Sequence, residues 1–181
     1  MSGEIVVIGG GAAGMMAAIT AARQGAGVTL LEPNERLGKK LNITGKGRCN
    51  VTNDCDRDTL LGNIPGNGRF LYSALTRFTP RDAMAFFEGL GVPLKVERGD
   101  RVFPVSDSAF DITDALKGEV KALCIRWIHD RAAAVETAGR LGVLLLALPF
   151  FERLIALAAA LAAWGGAVSS CSPFFSFFFR V

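Results

Sequence analysis

The sequence of 181 residues is poor in the residues that build metal sites and disulfide frameworks. It has one histidine and four cysteines, and no two cysteines form a Cys-x-x-Cys pair. We therefore predict neither a metal site nor a disulfide scaffold. A net charge of +3 is too small to indicate a nucleic-acid partner. No basic segment precedes an apolar run at the N-terminus, as a secretory signal requires, so we expect a cytoplasmic protein.

Charge is nearly missing from the end of the chain. Residues 1–131 carry 32 charged side chains, whereas residues 132–181 carry five, and none lies between Leu154 and Phe179. The last residues read SSCSPFFSFFFRV and have neither a helical nor a strand period. We therefore predict the N-terminal part of a domain over residues 1–131. Residues 132–181 form an irregular, atypical apolar tail that we expect not to be a native domain.

Two explanations of the tail stay open. A membrane span would place Glu152 and Arg153 near the middle of the bilayer, at about 2.5–3.5 kcal/mol for such a charge. A truncated or misread coding sequence would instead leave a tail without evolved structure. We favour the second explanation, so a membrane partner bound through the tail is the less favoured alternative.

The first 32 residues predict a strand, a tight turn, a helix and a second strand. Glu4–Ile8 and Val28–Leu31 are short apolar runs typical of buried strands. Ala12–Gln24 is rich in alanine and methionine, and Gly25 follows it, as at the end of a helix. Such a unit is parallel and right-handed by default. The predicted fold class is α/β, a Rossmann-like βαβ domain.

The rest of the domain yields a sparser prediction. Residues 33–67 show no sustained period, and a loop of this length is usually functional. Four elements with capping or turn signals follow: a helix from Pro80 to about Leu90, a hairpin of Lys95–Val96 and Val102–Phe103, a helix from about Ser108 to Leu123 capped by Ser106 or Asp107, and a strand Ile125–His129.

A glycine-rich motif links the first strand and helix. Residues 9–14 read GGGAAG and match G-x-G-x-x-G. Gly9 should permit the tight turn, Gly11 should let a pyrophosphate approach the backbone, and Gly14 should let helix and strand pack closely. Ala12 and Ala13 open the helix, whose N–H groups and positive dipole suit an anion. A βα turn without a ligand is the alternative.

Glu32 ends the second strand, where its carboxylate can accept hydrogen bonds from ribose hydroxyls. A second negative charge there would be repelled, so a 2′-phosphate is disfavoured. The motif therefore predicts FAD or NAD at this site rather than NADP.

Two further runs of sequence resemble a known family. The chain reads RLGKKLNITGKGRCNVTN over residues 36–53 and RVFPVSD over residues 101–107. Both runs resemble the YhiN/HI0933-like family of NAD(P)/FAD-dependent flavoprotein oxidoreductases. The resemblance covers residues 1 to about 123 and is absent after about residue 140. It implies an FAD-binding fold, with NAD(P)H as a candidate electron donor.

The residue types of the first run suit a flavin cofactor. Gly45 and Gly47 would let backbone N–H groups approach a ring or phosphate. Arginine and lysine would neutralise the pyrophosphate or an anionic flavin, and Asn50 can bond a ring edge. Cys49 has no partner cysteine, so a small buried residue is favoured over a redox group. The predicted cofactor-binding residues here are Arg36, Lys39, Lys40, Thr44, Gly45, Gly47, Arg48, Cys49 and Asn50. A solvated basic loop is the alternative.

The resemblance implies an FAD-dependent oxidoreductase that transfers hydride through the flavin to an unidentified small-molecule substrate. No catalytic residue is assigned. A complete family member would add a substrate domain, a later Ala-Thr-Gly-Gly turn and a segment that closes over the flavin. We therefore expect an incomplete FAD-binding domain. The alternatives are an inactive nucleotide-binding remnant and a membrane-tethered nucleotide-binding module.

Overall fold

The structure, a computed structural model, describes residues 4–133 and 144–145. Its helices and strands, in chain order, are β1 (Glu4–Ile8), α1 (Ala12–Arg23), β2 (Gly27–Leu31), β3 (Thr52–Asn53), α2 (Arg57–Gly62), α3 (Tyr72–Arg77), α4 (Pro80–Gly89), β4 (Leu94–Glu97), β5 (Arg101–Pro104), α5 (Ala109–Ala122), β6 (Arg126–Ile128) and β7 (Leu144–Leu145).

The larger sheet is parallel and has the strand order β6-β2-β1-β7. The predicted βαβ unit is confirmed, because β1 pairs with β2 in parallel, from Glu4 opposite Gly27 to Ile8 opposite Leu31. The chain adds β2 and β6 on one side of β1 and then places β7 on the other side. The strand order therefore reverses at β1, and in open α/β sheets ligands bind outside the carboxyl ends of the strands at such a point.

The core lies between the parallel sheet and helices α1 and α5. Small and flexible side chains let α1 approach the strands closely, and Met15, Ala18 and Ile19 on this helix are fully buried. The inward side of α5 contributes Ile112 and Leu116, which are also fully buried. This packing fixes the glycine-rich segment between β1 and α1 in place.

The smaller sheet is antiparallel, with the order β3-β5-β4. The predicted hairpin is confirmed, with Val96 opposite Val102. The predicted start of α4 is also confirmed, since the Thr79 hydroxyl accepts from Asp82 N (3.2 Å) and the Asp82 carboxylate accepts from Thr79 N (2.7 Å).

The predicted cap of α5 was wrong. Ser108 is the N-cap residue, and its hydroxyl accepts a hydrogen bond from Phe110 N at 3.3 Å. Asp107 has φ +57° rather than the extended conformation of an N-cap residue, and its carboxylate binds Arg48 and Lys95 instead. The helix consequently begins after Ser108, close to the predicted position.

The long segment after β2 is more ordered than its sequence indicates. Within Leu41–Gly47 it contains two short 3-10 turns, separated by a non-helical kink at Thr44, Gly45 and Lys46. Strand β3 and helix α2 follow, and Asp56 caps α2 by accepting from Asp58 N and Thr59 N, both at 2.9 Å. Helix α3 was also not predicted. Helices of six residues are too short to display a hydrophobic period.

Strand β7 lies in the apolar tail, of which the structure describes residues 132–133 and 144–145. Leu144 and Leu145 pair in parallel with Val7 and Ile8 of β1. The Glu152–Arg153 pair, on which the two explanations of the tail depend, lies outside the described residues. Within the described ranges, no helix is long and apolar enough to cross a membrane. The boundary at residue 131 stays a prediction.

Candidate functional site

The three motif glycines occupy three different environments in the turn between β1 and α1. Gly9 has φ +105°, a conformation that side chains disfavour. A Cβ on Gly14 would lie 1.7 Å from the Gly9 carbonyl oxygen, so helix and strand meet only because this residue is glycine. A Cβ on Gly11 would meet no atom within 4 Å. The space beside Gly11 is therefore open to an approaching ligand.

Helix α1 begins at the end of this turn, and no side chain caps its N-terminus. Gly11 is the N-cap residue, and the first turn of the helix contains no acidic residue. The first N–H groups of a helix, here those of Ala12 and Ala13, have no acceptor within the helix. Together with the positive end of the helix dipole, they suit an anion at the carboxyl end of β1.

Glu32 lies directly after β2 and is brought against the glycine turn. The residue is 7% exposed. Its Oε2 accepts from Gly10 N at 2.6 Å, and its Oε1 accepts from Asn34 N (2.8 Å) and Asn34 Nδ2 (2.5 Å). A carboxylate offers about four acceptor sites. Glu32 therefore keeps acceptor capacity for a ligand while its orientation is fixed by the chain.

Several residues that shape the turn were not identified from the sequence. A Cβ on Gly10 would lie 2.3 Å from Leu37 Cδ2, and the Gly10 carbonyl accepts from Gly38 N at 2.8 Å. Gly38 itself has φ +71°, and a Cβ there would lie 2.6 Å from Thr113 Cγ2. The segment after Glu32 therefore packs over the turn. The run of three glycines was the available signal for Gly10, and the polar residue two positions after Glu32 was the signal for Asn34.

The loop that carries the family-like run has an unusual backbone. Gly45, Lys46 and Gly47 have φ of +54°, +59° and +85° in succession, and Cys49 has φ +58°. Each non-glycine residue in this region costs about 1–3 kcal/mol. Inside the loop, Arg48 N donates to Gly45 O and Cys49 N donates to Thr44 O, both at 3.2 Å. These two N–H groups are therefore engaged within the loop.

The sequence predicts that Arg48 neutralises the charge of the cofactor. In the structure, Arg48 is paired with two carboxylates of the chain. Its Nη2 lies 2.5 Å from Glu97 Oε1 and 2.5 Å from Asp107 Oδ1, and its Nε donates to Asp107 at 2.8 Å. Its guanidinium carbon lies 4.2 Å from the centroid of the Phe103 ring. Bonds to Glu97 and Asp107 raise the pKa of Arg48 further above its ordinary value. The charge of Arg48 is thus compensated within the chain.

The neighbouring polar residues serve the loop itself. The expectation that Cys49 is a small buried residue is confirmed, and burial raises the pKa of its thiol to about 11. The Thr44 hydroxyl donates to Leu41 O at 2.7 Å. The side-chain amide nitrogen of Asn50 can donate to Thr52 O (2.9 Å) and Val102 O (3.1 Å). Contact of these residues with a cofactor stays a prediction.

Uncompensated positive charge remains nearby. Four cations of the segment after Glu32 are exposed to solvent: Arg36, Lys39, Lys40 and Lys46. Among the described residues, none of these four forms an ion pair. These side chains are available to an anionic ligand. No group of three or more potential metal ligands occurs in the part of the chain that the structure describes.

The ion pairs of Arg48 predict a dependence of stability on pH. Hydrogen bonds from Lys95 and Arg48 lower the pKa of Asp107, and a hydrogen bond from Arg48 lowers the pKa of Glu97. Stabilisation by a carboxylate with a depressed pKa is present above its ordinary pKa, about 4. It is lost as the pH falls through the depressed value. We expect the melting temperature to fall below about pH 4, and to fall less in Asp107→Asn.

The matched control is Asp114→Asn, because Asp114 pairs with Lys117 on an exposed helix surface and its side chain is 67% exposed. This variant should follow the wild-type pH profile. An Asp107→Asn profile that coincides with the wild type would show that the pair with Arg48 contributes nothing measurable.

Comparison with known proteins gives a consistent assignment. The HI0933-like protein Rossmann domain family matches residues 3–167. The chain is 40% identical over 121 residues to the 3-dehydro-bile acid delta(4,6)-reductase of Clostridium scindens, covering 65% of this chain and 29% of that protein. It is 34% identical over 121 residues to the ribosomal RNA dihydrouridine synthase of Escherichia coli, covering 64% of this chain and 28% of that protein. The same-named protein of Haemophilus influenzae is 31% identical over 116 residues, with coverages of 64% and 28%.

The chain thus spans less than a third of the length of these curated relatives. The partial resemblance is confirmed. Its expected end at about residue 140 was wrong, because the family match continues to residue 167. The apolar composition of residues 141–167 carries no motif by which this continuation could be recognised.

Proposed function

The chain belongs to the HI0933-like Rossmann-domain family, and from this membership we propose that it supplies the ADP-binding part of an FAD-dependent oxidoreductase. One juxtaposition carries the proposal. The open side of Gly11, the uncapped start of α1 and the buried carboxylate of Glu32 meet at the carboxyl end of β1. A pyrophosphate and a neighbouring ribose need this combination of an anion site and a fixed acceptor.

In this proposal the residues of the turn hold the ADP half of FAD. The backbone at Gly11 and the start of α1 would bind the pyrophosphate, because no side chain fills the space beside Gly11. Glu32 would accept from the ribose, with Asn34 and Gly10 holding its carboxylate. Lys39 and Lys40 are exposed and directly follow Gly38, whose N–H binds Gly10 O in the turn. They would reduce the negative charge of the phosphates.

Bound FAD supplies the redox chemistry, in which a hydride from a donor such as NAD(P)H is passed on to the substrate. The names of the relatives support a reduction, since one is a reductase and two form dihydrouridine. These names refer to a bile acid and a ribosomal RNA, and they therefore select no substrate class. We propose NAD(P)H as the electron donor and leave the substrate unidentified. We assign no catalytic residue.

Cofactor analysis of the purified chain of 181 residues tests this function. We expect FAD to be released on denaturation and identified by mass spectrometry, and the bound flavin to lose its colour when NADH or NADPH is added without oxygen. Bound FAD that neither donor reduces would favour a nucleotide-binding remnant. Release of NAD in place of FAD would reject the flavin assignment.

Replacement of Glu32 by alanine should weaken FAD binding by about 1.5–3 kcal/mol, the range for a hydrogen bond to a charged group. The ribose would lose its acceptor, and Gly10 N would lose its present partner. Fluorescence titration with FAD measures the change. The comparison variant is Glu32→Gln, whose amide oxygen can still accept from Gly10 N, whereas its amide nitrogen cannot accept from the two Asn34 donors. Equal affinity in Glu32→Ala and the wild type would reject the ribose assignment.

A further inference from the structure

Arg48 joins the two runs of sequence that resemble the family. Arg48 lies in the first run and Asp107 in the second, 59 positions later, and the two side chains form a hydrogen-bonded ion pair. The other partner, Glu97, ends β4. Because arginine has a rigid fork of donors, it can bind two carboxylates from different elements at once. A single side chain therefore fastens the loop at residues 45–49 to the antiparallel sheet and to the start of α5.

The cluster around Arg48 is electrically balanced. Lys95 Nζ lies 2.8 Å from Asp107 Oδ2 and 3.5 Å from Glu97 Oε1, so two cations face two carboxylates. Phe103 contacts the guanidinium from the side of the sheet. Such a neutral cluster has little attraction left for phosphate. Its geometry suits the fixing of a loop better than the binding of an anion.

The backbone conformation of the loop at residues 45–49 requires support from the rest of the chain. Lys46 and Cys49 have the left-handed conformation, which persists only where the surroundings impose it. The hydrogen bonds inside the loop are long, at 3.2 Å. Gly45 lies against Phe103, since its Cβ position would be 3.5 Å from Phe103 Cε1. Arg48 and Phe103 therefore form the outer support of the Gly45–Gly47 turn.

We propose that Arg48 is a positioning residue, which holds the Gly45–Gly47 turn in its left-handed form for the part of FAD beyond the ADP half, and that it does not itself neutralise the cofactor. This inference rests on the proposed function. The ADP half is assigned to the glycine turn and Glu32. The chain leaves that turn at Gly38, whose N–H binds Gly10 O, and continues into the loop at residues 45–49, which is left for the remainder. Loss of Arg48 should then weaken FAD binding while ADP binding is retained.

The test compares Arg48→Met with Arg23→Met. Arg23 is a matched control because it also pairs with a carboxylate, Glu119 at 2.7 Å, and lies over a ring, Phe86 at 5.1 Å. We expect Arg48→Met to weaken FAD about tenfold, a typical size for coupling through a network. ADP should bind as it does to the wild type, and Arg23→Met should bind both as the wild type does. In Arg48→Met, Asp107→Asn should have no further effect on FAD affinity.

Hydrogen exchange supplies a second readout that needs no cofactor. The amide of Cys49, bound to Thr44 O, should exchange faster in Arg48→Met and unchanged in Arg23→Met. If Arg48→Met does not fold, Arg48→Lys replaces it in the binding and exchange measurements. Unchanged FAD affinity, or an equal loss of FAD and ADP, in Arg48→Met would overturn the inference alone. Failure of the wild type to bind FAD would reject the proposed function and this inference with it.

Discussion

Gly11→Val is expected to leave the chain folded and to remove its ability to retain FAD. Gly11 has φ −75° and ψ −175°, which valine adopts, and its Cβ position has no neighbour within 4 Å. The cost to stability should be about 1 kcal/mol, because valine is a poor N-cap residue. The new side chain would fill the space assigned to the pyrophosphate. FAD binding should weaken by at least about 3 kcal/mol, since more than one charge-assisted hydrogen bond is lost.

Thermal unfolding and FAD titration of the same sample measure the two halves of this result. The control is Gly27→Val at the start of β2, where a Cβ also has no neighbour within 4 Å. Gly27→Val should be folded and should bind FAD normally. A Gly11→Val chain that carries FAD as the wild type does would show that the turn does not bind the pyrophosphate.

Gly14→Ala should, unlike Gly11→Val, cause a large loss of stability. The added Cβ would lie 1.7 Å from the carbonyl oxygen of Gly9, and both atoms belong to the packed backbone. Either α1 or the turn must therefore shift, and overpacking of this kind costs about 3 kcal/mol. Urea denaturation measures the free energy of unfolding. FAD binding should also weaken, because the pyrophosphate site at the start of α1 moves.

Gly118→Ala is the matched control for Gly14→Ala. Gly118 lies inside α5, and a Cβ there meets no atom within 4 Å. Alanine should stabilise this helix by about 1 kcal/mol relative to glycine. If Gly14→Ala were as stable as the wild type, the close approach of α1 to β1 would not exist in solution.

The sequence was sufficient for the parts of the fold that depend on neighbouring residues. The β1–α1–β2 unit follows from two short apolar runs and an alanine-rich helix, and the start of α4 follows from Thr79 and Pro80. Glu32 could be placed at the site because α1 returns the chain to the start of β1, so that β2 runs parallel to β1 and both strands end at the same edge of the sheet. Each of these features depends on residues that are close together in the sequence. A local sequence pattern is therefore enough to predict it.

Contacts between distant residues could not be predicted in this way. From the sequence, Arg48 is predicted to be a cation that can bind a phosphate. Its charge is compensated by Glu97 and Asp107, which lie 49 and 59 positions later, and no local pattern predicts these contacts. Gly10 is a free position in the motif, yet Leu37 closes over it. Strand β7 lies in an apolar stretch without a period, and its pairing with β1 depends on the whole sheet. Packing, rather than propensity, determines all three.

We propose that the glycine turn and Glu32 bind the ADP half of FAD. Competition against bound FAD tests it most directly, with ADP and FMN as the competitors in a titration followed by flavin fluorescence. ADP contains the groups assigned to the turn and to Glu32, whereas FMN contains the flavin without adenosine. We predict that FAD binds, that ADP displaces it and that FMN does not. Displacement by FMN with no effect of ADP would contradict the account, as would a chain that binds no FAD.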